Sequence, residues 1–192
     1  EYSLPKEMAS FAPVIVEQDQ LDQEQADFVH EILEVAAPPT QQDEVIVRNI
    51  LRYLQILKIA GRHVDNRADY VFHLRPDLYW HDDLRLPGLV VPVLGIPRRL
   101  TGMMTASWGG GKAPNDRFAL LSRGAVDDYF FRIHRFKEFL LSGLGFSAEN
   151  FLGFAMSRHK IRPVIRATAS RVRVGGKIAQ ERFRPTRMGR TR

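Results

Sequence analysis

From residue 45 to residue 60 the apolar side chains Val45, Ile46, Ile50, Tyr53, Leu54, Leu57 and Ala60 recur at steps of three and four, which lines one face of an α-helix. Gly61 follows as a stop. The pattern then changes. Asp69-Tyr70-Val71-Phe72-His73-Leu74-Arg75-Pro76-Asp77 is an apolar and aromatic run closed by proline, as a buried strand would be. A helix running into a buried strand is the unit of layered α/β domains, and the rest of the chain keeps the alternation.

Residues 88–94, Gly88-Leu89-Val90-Val91-Pro92-Val93-Leu94, form a second strand candidate, pushed toward a sheet edge by Pro92. Residues 101–114 read as a loop centred on Gly109-Gly110-Gly111. Residues 117–122 read as a strand, and residues 125–141 as a helix with Val126, Phe130, Ile133, Phe136 and Leu140 on one face. Ser147 is positioned to cap a helix that opens at Ala148, and residues 161–167 make a last strand. Upstream, Pro13-Val14-Ile15-Val16 fits a short strand. Phe28, Val29, Ile32, Leu33 and Val35 fit a modest helix or an irregular wrap that Pro38-Pro39 ends.

A length of 192 residues suits one domain, or one domain with a tail. The absence of cysteine removes disulfides, thiolate metal sites and cysteine nucleophiles, and suits a cytoplasmic setting. No apolar run approaches the roughly eighteen residues of a membrane span. With Glu1 where an initiator Met would stand, the chain is expected to start inside a longer one.

The net charge of +6 is unevenly distributed. Residues 157–192 hold 12 Lys or Arg against the single acid Glu181, so the first 156 residues carry −5. Three regions follow: an acidic segment 1–44, an α/β core 45–166 and a basic arm 167–192 poor in large apolar side chains. The arm is either a solvated extension, a contact for nucleic acid or another polyanion, or a source of Arg residues covering an anionic substrate. Phe183 is its one aromatic residue, which is little for a single-strand platform.

Ligands of open α/β sheets lie beyond the carboxyl ends of strands, so Arg75 and Asp77 are the first candidates. A guanidinium matches phosphate oxygens with paired donors, and a carboxylate can hold a divalent cation that bridges phosphates. The same two residues could instead pair with each other and close the strand end. Ser107-Trp108-Gly109-Gly110-Gly111-Lys112-Ala113-Pro114 is not a Walker A loop, because Ala113 stands where the motif needs Ser or Thr. It reads as a mobile lid, with Trp108 covering a sugar or base and Lys112 reaching a phosphate, or as an ordinary surface loop. His73 reads as a satisfied residue of its strand, and His81-Asp82-Asp83 as a solvated turn.

The run from Asp69 to Asp77 resembles the segment of GT-A type glycosyltransferases in which a strand enters the Asp-X-Asp motif. It is closer to glycosyltransferase-like proteins whose strand ends in Arg-Pro-Asp. Asn115-Asp116-Arg117-Phe118-Ala119-Leu120, with its following Ser-Arg-Gly-Ala turn, and Ala148-Glu149-Asn150-Phe151-Leu152 resemble the same group, so the likeness spans residues 45–166. It implies a layered αβα domain with a mixed, mostly parallel sheet, and a nucleotide-sugar donor whose diphosphate sits at the strand end, usually with Mn or Mg. Part of the donor site would lie upstream of Glu1.

By the same resemblance Asp77 matches the second acid of Asp-X-Asp and becomes the metal or diphosphate contact. Arg75 replaces the first acid, which puts metal dependence in doubt because a guanidinium can neutralise a diphosphate directly. Asp116 or Glu149 would take the proton of a glycan or other hydroxyl acceptor. Asp116 could also be a structural partner of Arg117, and Glu149 a carboxylate favoured in a first helical turn. The expected activity is sugar transfer from a nucleotide-sugar to a hydroxyl. The alternative is a non-catalytic protein that engages nucleic acid or an acidic partner through its basic arm.

Overall fold

A computed structural model describes residues 23, 26–36, 41–75, 77–82, 101–106, 108, 114–165 and 168–184. The strand candidates at 13–16 and 88–94, together with Gly109, Gly110, Gly111 and Lys112, lie outside them. The chain divides into two compact units, Glu1–Ile56 and Leu57–Arg192.

The first unit contains helix α1 (Ala26–Ala36) and most of α2 (Gln41–Gly61). Ile32, Val47, Leu51 and Leu54 are buried, whereas Val45 and Ile46 are exposed. The spacing of three and four thus locates the helix correctly but assigns part of its apolar face wrongly. The buried row begins at Val47 and steps to Leu51 and Leu54. Along the solvated side, Arg48 pairs with Glu44 at 2.8 Å, a helical i,i+4 pair.

The second unit is built on a four-stranded sheet in the order β1-β4-β3-β5, with β1 at Tyr70–Leu74, β3 at Met103–Ala106, β4 at Phe118–Ser122 and β5 at Ile161–Ile165. A two-stranded ribbon pairs β2 (Leu78–Trp80) with β6 (Ala169–Arg171). The unit is mixed α/β, and no described helix is long and apolar enough to cross a membrane.

The sheet corrects the expectation of mostly parallel pairing. β4 runs antiparallel to both β1 and β3, and only β3 with β5 is parallel. β3 and β4 are consecutive strands and neighbours in space, so they pair antiparallel without a helical crossover. The directions of these pairings make β1, β3 and β5 point the same way, with β4 alone reversed. Three carboxyl ends therefore gather at one end of the sheet, beside the amino end of β4.

Three further expectations change. β1 is an edge of the described sheet rather than a buried strand, and Phe72 and Leu74 are about half exposed. The segment read as a loop from 101 to 114 contains β3, whose four residues are all buried. Gly102 leads into it at φ 96°, and a Cβ there would collide with Lys160 O, so glycine is required. The helix expected over 125–141 is divided. Two α-helical pieces, α3 (Val126–Phe130) and α4 (Phe136–Leu141), are joined by a 3-10 turn at Arg132–Arg135. The buried residues explain the division: Val126, Tyr129 and Arg132, then Ile133, Phe136 and Phe139, step by three, a period that a 3-10 turn keeps on one face.

α5 (Ala148–Ala155) starts as expected, with the Asn150 amide donating to Ser147 Oγ at 3.0 Å. Arg135 closes its far end by donating to the carbonyls of Phe154 and Ala155, and its guanidinium lies 4.6 Å from the Phe154 ring centre. Phe136, Phe139 and Phe151 meet between these helices, with Phe136 and Phe151 edge-to-face at 4.9 Å. Such pairs add roughly 0.5–1.5 kcal/mol each beyond area burial.

Residues 168–184 are not an arm without a core. Ala169 and Ser170 in β6 are fully buried, and the Ala169 and Phe183 backbones exchange hydrogen bonds of 3.1 and 2.7 Å. Between the ribbon and the sheet a second core collects Leu78, Met104, Trp108, Phe118, Leu120 and Ala169, with Trp80 and Phe183 packed against it.

Candidate functional site

The strand end that carries Arg75 and Asp77 is fixed by its neighbours. Leu74 stands opposite Phe118, and one step further the Arg75 amide donates to Arg117 O at 3.4 Å. This register brings Arg75 and Asp77 to the same end of the sheet as Asn115, Asp116 and Arg117. Asp77 O accepts from the Val172 amide at 2.8 Å, and Leu78 pairs with Arg171, so the C-terminal segment reaches that end too.

Arg75 grips Asp77 with two parallel bonds, Nε to Oδ1 at 2.9 Å and Nη2 to Oδ2 at 2.8 Å. Partial burial works against the Asp77 charge. The Arg75 hydrogen bonds and charge, helped by Arg171, outweigh that penalty and leave the carboxyl below its ordinary range. The strand-closing pair is therefore formed in this conformation. A divalent cation needs several oxygen ligands, and both Asp77 oxygens are already engaged. Among the described residues no three His, Asp or Glu side chains gather into a metal site. These residues, as arranged, do not fit a Mn or Mg ion.

Asn115 and Asp116 are buried at the start of β4. Asn115 Oδ1 accepts from the Arg117 amide at 2.8 Å, and Thr105 Oγ1 donates to Asn115 O at 2.5 Å, tying this turn to β3. Glu149 is half-buried in the first turn of α5. Gly153, four residues on and hence on the same helix face, lies against Pro114, whose Cδ is 3.3 Å from where a Cβ would be. Gly153 thus brings the middle of α5 against Pro114, two residues before Asp116.

Trp108 is 5% exposed, with its ring centre 5.1 Å from Trp80 and stacked on Phe183 at 5.6 Å. That is a core position, not the open surface a lid residue would occupy in this conformation. Phe183 is also covered by the Arg117 guanidinium at 4.4 Å, so the arm's aromatic is spent inside the protein. Arg173 and Arg171 approach Glu181 at 3.2 and 3.6 Å. His81 Nε2 lies 2.8 Å from Ser170 Oγ and Asp82 accepts from the Thr168 amide at 2.7 Å, so the His81-Asp82 turn anchors β6.

His73 is satisfied, as read from the sequence, by partners that the sequence did not reveal. The Tyr129 hydroxyl, fully buried, shares a 2.7 Å hydrogen bond with His73 Nδ1, and the Arg132 guanidinium lies 4.4 Å over the Tyr129 ring. Burial first, then the charges of Arg132 and Arg75, push the His73 pKa down to about 4. His73 is therefore a neutral, satisfied imidazole on the sheet. Elsewhere, Ala26, Val29, His30, Arg48 and Arg52 line a cavity of about 260 Å³ within the first unit, and none of the sequence candidates reaches it.

No protein family, curated protein or solved structure matches this chain.

Proposed function

We propose that residues 45–166 form a glycosyltransferase-like module of GT-A type that binds a nucleotide-sugar at the carboxyl end of β1 and transfers the sugar to an acceptor hydroxyl. The observation that carries this reading is the gathering of Arg75, Asp77, Asp116 and Arg117 at one sheet end, where three strands present their carboxyl termini. These residues belong to two of the motifs on which the resemblance rests. α5, which carries Glu149, meets the same loop through Gly153 and Pro114.

In this mechanism Arg75 donates hydrogen bonds to the donor diphosphate without a metal, and Asp77 holds its guanidinium in place. The bond between the anomeric carbon and the diphosphate oxygen breaks, and the electron pair leaves with the nucleoside diphosphate. The acceptor oxygen bonds to the anomeric carbon and gives its proton to Asp116, or to Glu149.

Release of nucleoside diphosphate from uridine, guanosine and cytidine diphosphate sugars tests the proposal. Turnover is expected, with Asp116→Asn or Glu149→Gln lowering kcat by about 10²–10⁴-fold while leaving donor affinity close to wild type. Neither binding nor turnover of any such donor would contradict it.

A further inference from the structure

Arg117 is held in an unusual way for a surface cation. It is half-buried and stacked over Phe183, and among the described residues its guanidinium has no carboxylate partner. A guanidinium that meets an aromatic ring through its face keeps its in-plane N–H donors for other partners. Arg171 approaches the same ring at 5.8 Å, and its side chain is 33% exposed. Arg75 joins them through the backbone bond to Arg117. Four guanidinium groups, Arg75, Arg117, Arg171 and Arg173, share this end of the fold with three carboxylates, Asp77, Glu181 and the buried Asp116.

We propose that Arg117 and Arg171, set against Phe183, form an anion-binding fork that takes the phosphate oxygens of a diphosphate ligand beside Arg75. The C-terminal segment is then a wall of the site, joined to it by the pairing of β6 with β2 and by the Val172 to Asp77 bond. This accounts for a basic segment that folds back on the core and encloses its one aromatic residue. The inference rests on the donor site proposed above, which it extends to residues outside the resembling region.

Calorimetry of the 192-residue chain with inorganic pyrophosphate, at low salt and with EDTA, tests the fork. Binding is expected, with Arg117→Gln and Arg171→Gln each weakening it at least tenfold. Arg173→Gln, at a side chain 56% exposed, is expected to change it less than twofold. Arg117→Lys and Arg171→Lys keep the charge but lose the fork, so intermediate affinities are expected; these variants carry the test if a Gln variant fails to fold, as judged by its melting curve. Pyrophosphate affinity that is absent in the wild type, or unchanged in folded Arg117 and Arg171 variants, would overturn the fork. Nucleotide-sugar binding that ignores both substitutions would sink the fork and leave the donor site standing. Fork-dependent pyrophosphate binding without turnover of any nucleotide-sugar would uphold the fork and sink the transferase reading.

Discussion

Arg75 and Asp77 satisfy each other across Pro76 through two parallel hydrogen bonds of 2.9 and 2.8 Å, and this pair closes the end of β1. Its Asp carboxyl is held below the ordinary range, so the folded state releases the proton more readily than the unfolded chain does. The pair's stabilisation is full above about pH 4, the usual Asp value, and is lost as pH falls through the lower folded pKa. Asp77→Asn is expected to cost about 1 kcal/mol or less at pH 7, because solvent reaches the pair. Denaturant titration at pH 7 and pH 3 reads this: the difference between wild type and variant should shrink at the lower pH.

His73 gives a pH dependence in a different window. With its pKa at about 4 in the fold and roughly 6.5 when unfolded, the unfolded chain takes up a proton first as pH falls. Stability should therefore decline between about pH 6.5 and about pH 4, by at most about 3 kcal/mol from this residue. His73→Gln should flatten the dependence in that window, as measured by denaturant midpoints at pH 7 and pH 5. An unchanged slope would contradict the buried neutral imidazole.

Trp108 separates a core role from a lid. Its contacts with Trp80 and Phe183 lead us to expect that Trp108→Ala destabilises the protein by about 3–5 kcal/mol. A lid residue would leave the melting temperature nearly unchanged and alter ligand affinity instead. Thermal denaturation distinguishes the two.

Gly102→Ala tests the entry to β3. A Cβ would require a left-handed backbone, at about 1–2 kcal/mol, and would collide with Lys160 O, so a loss of about 3 kcal/mol or more is expected. Ser147→Ala, which removes only the α5 cap, should cost about 1 kcal/mol. Chemical denaturation of the two variants should preserve that order.

Local patterns revealed elements more readily than partners. The spacing through α2, the run of β1, the strand at Phe118–Ser122 and the Ser147 cap were legible because each is written in adjacent residues. β3 was not, since Met103-Met104-Thr105-Ala106 is buried on both faces and has no alternation to betray it. β6 was missed for a related reason: Ala169-Ser170-Arg171 is small and polar, and it becomes buried only by pairing with Leu78–Trp80 across some ninety residues. Arg75 and Asp77 stood out as a strand end, but the roles of Arg117 and Arg171 depend on Phe183 folding back, which no short-range pattern encodes.

In the proposed function Arg75, not a metal ion, holds the diphosphate of a nucleotide-sugar at the end of β1. Calorimetric titration of uridine, guanosine and cytidine diphosphate into wild type and Arg75→Gln, with EDTA and then with excess Mn, addresses it directly. The expected result is binding of at least one nucleotide in EDTA, little strengthened by Mn, and weakened at least tenfold by Arg75→Gln. Binding that appears only with Mn, or that survives Arg75→Gln unchanged, would contradict it.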